Sequence, residues 1–159
     1  MVNWGDIRRQ NYQFTSPIPE NTIQNLKSSG IDYIEGRAVF TGPQILRIGD
    51  AEIQGRFIII ASGAAPLNLP IKGAEHIITS NEFLALNQLP RRIAFVGGGF
   101  ISFEFAHFAA RLGSSPGNIH ILEVQERVLG SFDSLMVQQL AAASEAEGIH
   151  IHTNVKINE

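Results

Sequence analysis

The sequence predicts an α/β fold, doubly wound around a parallel sheet, on three observations. Residues 93–155 read as strand, helix, strand, helix, strand. Three consecutive glycines, Gly97, Gly98 and Gly99, stand where the first of those strands meets the first helix. An acidic residue, Glu123, closes the second strand. Short apolar strands alternating with helices are what a parallel sheet with crossover helices requires, and five such elements make one mononucleotide-binding half of a doubly wound fold.

The elements follow in chain order. Residues 1–16 are polar and mixed, with no assigned element. Pro17, Pro19 and Glu20 open a helix that runs through Leu26 and stops at Gly30. Ile31–Ile34, Arg37–Phe40 and Gln44–Ile48 read as short strands divided by Gly36, Gly42-Pro43 and Gly49-Asp50. Phe57-Ile58-Ile59-Ile60-Ala61 is a continuous apolar run, the pattern of a parallel strand covered on both faces. Ser62–Pro66 and Pro70 form a linker. Thr79 and Glu82 have capping-box spacing for a short helix through Leu86. Ile93–Val96 is a strand. Ile101, Phe105, Phe108 and Leu112 form the apolar stripe of a helix. The loop Ser114-Ser115-Pro116-Gly117-Asn118 leads to a strand at Ile119–Leu122. Asp133 caps a helix over Ser134–Glu147, and Ile149–Val155 is the last strand. Trp4 and Phe103 are apolar residues without an assigned role.

Composition narrows the function classes. With 159 residues, 44% hydrophobic and 17% charged, the chain has enough apolar material for a core. Twelve Lys plus Arg against fifteen Asp plus Glu give a net charge of −3, and no basic block points to nucleic acid. No long uncharged apolar run or signal peptide is visible, so a cytoplasmic protein with no membrane partner is expected. There is no cysteine, which excludes disulfides, thiolate metal sites and thiol nucleophiles within this sequence. His76, His107, His120, His150 and His152 show no ligand-like spacing backed by carboxylates. His150 and His152 alternate along a strand and share one face. They are read as solvent-facing strand histidines, with no metal expected.

The glycine turn carries the chemistry. Gly97 permits the tight turn, and Gly99 lets backbone approach a pyrophosphate. The helix that follows offers free N–H groups and a positive dipole end to the anion. Ser102 stands where Gly or Ala is usual; it is small enough for close helix–strand packing. The competing reading is a glycine-rich turn with no ligand. Glu123, somewhat more than about 20 residues on, is placed to accept hydrogen bonds from the adenosine ribose hydroxyls; otherwise it is an ordinary surface glutamate. As a ribose ligand it also selects the cofactor. A 2′-phosphate adds about −1.5 to −2 charge. Each unit of like charge about 4 Å from a carboxylate costs roughly 4 kcal/mol at an effective dielectric near 20. NAD is therefore expected over NADP.

Several segments together resemble the pyridine nucleotide–disulfide oxidoreductases, the family of glutathione reductase, dihydrolipoamide dehydrogenase and mercuric reductase. Ile60-Ala61-Ser62-Gly63-Ala64-Ala65-Pro66 is similar to the family's I-A-T-G-x-x-P segment. Leu89–Ile93 and Val96–Ala106 resemble its second dinucleotide motif. Pro19-Glu20-Asn21, Gly36–Phe40, Gly73–His76 with Thr79-Ser80, and Gly130–Asp133 also fit, in order and spacing.

The resemblance implies a Rossmann-like FAD/NAD(P)-binding fold. Residues 1–78 would be the later part of the FAD domain, and 79–159 the N-terminal half of the NAD domain. It implies that the Ala38 backbone touches the FAD adenine and that Ser62 and Gly63 lie near the flavin nucleotide. The Gly97–Ser102 turn would hold NAD. Phe100 matches a tyrosine that lids the nicotinamide site, and Glu104 matches a helix glutamate paired with a lysine beside the flavin. NADP-using members carry Arg where Val124 and Gly130 stand here; Arg127 is nearby but out of pattern, which agrees with NAD.

Family members pass hydride from the nicotinamide to the flavin and then electrons to a Cys-x-x-x-x-Cys disulfide. That pair, the N-terminal G-x-G-x-x-G, the nicotinamide-side half and the C-terminal dimerisation domain with its catalytic His are not in this sequence. The expectation is an internal fragment of an FAD- and NAD-dependent oxidoreductase, inactive alone, with FAD retention doubtful and Phe57–Ala61 and Glu104 deprived of their partners. The isolated chain is expected to be poorly stable or oligomeric. The alternative is a non-catalytic dinucleotide-binding module acting with a partner chain. A one-domain NAD dehydrogenase would need a substrate domain and an acid or base, and neither is visible.

Overall fold

The computed structural model describes residues 3–67, 69–114 and 117–157. They fall into two compact units, Tyr12–Pro66 and Met1–Asn11 with Leu67–Glu159.

The larger unit is built on a parallel sheet. Strands β4 (Ile93–Val96), β5 (Ile119–Leu122) and β6 (Ile149–His152) lie in that order. Ile93 pairs with Ile119, and Ile119 with Ile149; Phe95 pairs with Ile121, and Ile121 with Ile151. Strand side chains alternate with period two, so these six residues share one face. Helices α4 (Phe100–Leu112) and α5 (Ser134–Ala146) cover it. Phe103, Ala106 and Ala109 of α4 and Val137 of α5 join Ile119, Ile121 and Ile149 in one buried cluster. A second cluster unites Trp4 of α1 (Trp4–Thr15), Phe83 of α3 (Ser80–Ala85), Leu89 and Phe105. Phe83 stacks on Phe105 with centroids 4.4 Å apart, and Trp4 meets Phe83 edge-on at 5.5 Å. The indole Nε1–H of Trp4 donates to the Leu86 carbonyl at 2.7 Å.

The predicted caps form. The Thr79 hydroxyl and the Glu82 carboxylate close a capping box on α3, with Glu82 Oε2 accepting from Thr79 N at 2.5 Å. Asp133 accepts from the N–H groups of Leu135 and Met136 at the start of α5. His107 and Ser144 tie α4 to α5: Ser144 Oγ donates to the Leu140 carbonyl at 2.8 Å and lies 3.0 Å from His107 Nε2.

The smaller unit holds α2 (Ile18–Ser28) and an antiparallel meander of β1 (Ala38–Gly42), β2 (Ile45–Ile48) and β3 (Ala51–Gln54). No residue from Tyr12 to Pro66 is buried.

Six expectations change. Residues 1–16 contain a helix, α1, whose Trp4 is a core residue. Phe57–Ala61 is not a strand; it is irregular, and Ile59 is 90% exposed. An apolar run forms a central strand only between neighbouring strands, and no described strand pairs with it. Ile31–Ile34 likewise has no strand partner. The buried face of α4 runs through Phe103, Phe105, Ala106 and Ala109, while Ile101 and Phe108 are exposed. The sheet packs against the small residues of α4 because they permit close approach, and a count of large apolar residues misses that. Residues 51–54 form β3, which charged and small residues disguised, and β6 stops at His152 rather than Val155. Ser115 and Pro116 of the predicted loop lie outside the described residues. Among the described residues no helix is long and apolar enough to cross a membrane.

Candidate functional site

Strand β4 delivers the chain into the glycine turn. Gly97 has φ +98°, a left-handed conformation that an L side chain rarely adopts. Its N–H donates to the Leu122 carbonyl at 2.8 Å, which extends the β4–β5 pairing by one bond. Gly98 is confined by contact rather than by φ. A Cβ there would meet Val128 Cγ1 at 2.6 Å and Glu123 Oε2 at 2.9 Å. At Gly99, the N-cap of α4, a Cβ would meet nothing within 4 Å. No side chain caps α4, so its first-turn N–H groups are left without intrahelical acceptors.

Glu123 follows β5 directly, and its carboxylate bridges two backbone donors. Oε2 accepts from Gly98 N at 2.6 Å, and Oε1 from Gln125 N at 2.7 Å. Each oxygen has a second lone pair to offer. The carboxylate thus ties the glycine turn to the end of the neighbouring strand.

These groups line an open cleft of about 570 Å³, with Gly99, Phe100 and Glu123 facing residues 125–132. The far wall is a braced loop. Leu129 N donates to the Gly98 carbonyl at 2.8 Å, and Leu129 takes φ +49°, an uncommon conformation for a residue with a side chain. Val128 and Leu129 are both buried. The Arg127 guanidinium donates to the carbonyls of Phe132, at 3.0 Å, and Gly130, at 2.5 Å.

The structure therefore brings together Gly97, Gly98, Gly99, Phe100 and Glu123. Phe100 is exposed at the cleft; Ile101 and Ser102 are in the first turn of α4. Glu104 is exposed to solvent. Ala38, in β1, and Ser62 and Gly63, in an irregular stretch, lie in the other unit and are exposed. Val128, Leu129 and Arg127 are the site residues that sequence reasoning did not assign. Their loop has no helical or strand periodicity to reveal it.

Fold and turn define a class, a Rossmann-like α/β chain of the FAD/NAD(P)-binding type. More particularly, the chain belongs to the pyridine nucleotide-disulphide oxidoreductase family, which matches residues 6–159. Its relatives include glutathione reductase of Schizosaccharomyces pombe, 30% identical over 96% of this chain and 34% of that protein. Dihydrolipoyl dehydrogenase of Bacillus subtilis is 28% identical over 98% of this chain and 35% of its own length. Among solved structures, the Cu(II) complex of the HOCl-induced flavoprotein disulfide reductase RclA from Escherichia coli superposes with a TM-score of 0.87. It shares 26% identity, over 99% of this chain and 37% of that one. The chain spans about a third of the length of the relatives it matches. Members of the family use FAD and a pyridine nucleotide.

Proposed function

We propose that this chain supplies the ADP-side contacts to NAD in a flavin-dependent disulfide reductase. In this reading residues 1–78 correspond to the later part of the FAD domain and 79–159 to the N-terminal half of the NAD domain. The observation that carries it is the Glu123 carboxylate, held at the glycine turn by Gly98 N and opening on the cleft.

The residues present fit an ADP group. The open space at Gly99, beside unpaired first-turn N–H groups, suits a diphosphate. The adenosine ribose hydroxyls donate to the remaining lone pairs of Glu123. A 2′-phosphate meets that carboxylate's charge, and the guanidinium lining the cleft, Arg127, is already engaged with two carbonyls. Both features favour NAD over NADP. The intact relative would pass hydride from NADH to FAD and electrons on to a disulfide or similar acceptor. With no cysteine, this chain supplies no redox thiol to that last step. Ala38, Ser62 and Gly63 are exposed in a unit without a buried residue, so by themselves they form no cradle for FAD.

That same absence of burial in Tyr12–Pro66 favours a second reading, a non-catalytic dinucleotide-binding module completed by a partner chain. Co-purification with a cysteine-containing flavin-domain protein would support it.

Calorimetric titration of the chain with ADP-ribose tests the site. Binding is expected, weaker for the 2′-phosphorylated analogue. Glu123→Ala should lose roughly 1.5–3 kcal/mol, about ten- to a hundredfold in Kd. No heat at millimolar ADP-ribose, or an unchanged Kd in the variant, would overturn the assignment.

A further inference from the structure

The sheet face opposite the helices carries three histidines. Ile93, Phe95, Ile119, Ile121, Ile149 and Ile151 occupy the covered face, so Ala94, Val96, His120, Leu122, His150 and His152 occupy the other. Parallel register sets His120 of β5 opposite His150 of β6, with His152 diagonal to it. The rings converge. His120 stacks against His150 at 5.2 Å and against His152 at 5.3 Å between centroids. Nδ1 of His120 lies 3.1 Å from Nε2 of His152.

From this geometry we propose a binding site for a divalent late first-row transition ion, Zn(II) or a close relative, with His120 Nδ1 and His152 Nε2 as its protein ligands. Imidazole suits these ions. Two nitrogens 3.1 Å apart, each at the usual Zn–N length of roughly 2.0–2.1 Å, subtend an angle of about 98° at the metal, between square and tetrahedral coordination. The ion takes the place of the proton the two rings share. His120 carries its hydrogen on Nε2 and His152 on Nδ1, so both ligands stay neutral. Among the described residues no group of three or more His, Cys, Asp or Glu side chains is arranged to hold a metal. Water or a small anion therefore fills the other positions. His150, packed on His120, fixes the orientation of that ring. The site owes nothing to the nucleotide cleft, because the carboxylate of Glu123 is turned to Gly98 and Gln125.

Titration of the 159-residue chain with Zn(II), by calorimetry and by the imidazole nitrogen resonances, tests the proposal. One ion per chain is expected, shifting the His120 and His152 signals. His120→Gln and His152→Gln should each weaken binding by at least roughly tenfold, while His76→Gln leaves it unchanged. His152 is exposed, so its variant should fold; an unchanged far-ultraviolet circular dichroism spectrum checks this. The proposal is overturned by an absence of binding at millimolar Zn(II), or by binding that survives both substitutions.

Discussion

The two units of this chain are built from similar material and reach opposite results. Every buried hydrophobic residue belongs to the larger unit, while Tyr12–Pro66 has none. The smaller unit is not short of apolar side chains: Phe14, Phe40, Phe57, Ile59 and Ile60 are all exposed there. What differs is cover. The parallel sheet has two helices across one face. The antiparallel meander has no described element burying a residue against it. Apolar content becomes stability only when the chain supplies a second layer to exclude water.

Substitutions that remove comparable apolar bulk from the two units test this contrast most strongly. Ile121→Ala, at a fully buried position, should cost about 2–5 kcal/mol in urea unfolding. Ile59→Ala should stay within about 0.5 kcal/mol. Equal costs would show that the irregular stretch is buried in solution. Next in size is a pair inside the glycine turn. Gly98→Ala drives a methyl into Val128 and Glu123 and should destabilise by about 1–3 kcal/mol. Gly99→Ala meets open space, so it should leave the melting temperature nearly unchanged while weakening ADP-ribose binding. Asp133→Ala removes the cap of α5 and should cost about 1 kcal/mol.

The smallest effect is a pH dependence at α3. The Thr79 hydrogen bonds, from side chain and backbone, hold the Glu82 carboxyl below its ordinary value of 4.5. Its contribution is therefore present above that value and is lost as pH falls through the lower folded-state value. A carboxyl NMR titration should place the Glu82 midpoint below those of free glutamates. Burial first, then the neighbouring His150 and His152, hold His120 below 6.5.

Legibility in the sequence followed the range of the interaction. Capping pairs such as Thr79 with Glu82, and Asp133 with the start of α5, are local and were read from spacing. The strand–turn–helix at Val96–Phe100 was equally plain, because glycine conformation and strand periodicity are properties of a few adjacent residues. Phe57–Ala61 has the pattern of a strand and is not one, because strand formation needs partners and an apolar run does not reveal whether the partners exist. Trp4 shows no role in the sequence because its core neighbours, Phe83 and Phe105, are some eighty to a hundred residues away.

The sequence alone determined the order of elements from β4 to β6, the glycine turn and the candidacy of Glu123, all set by short-range stereochemistry and side-chain type. Only the tertiary structure decided that Glu123 is anchored to Gly98 N, that Arg127 is occupied by its own loop, and that His120 meets His152. Those pairings depend on strand register and loop path, which arise when distant segments pack and are written in no single stretch of chain.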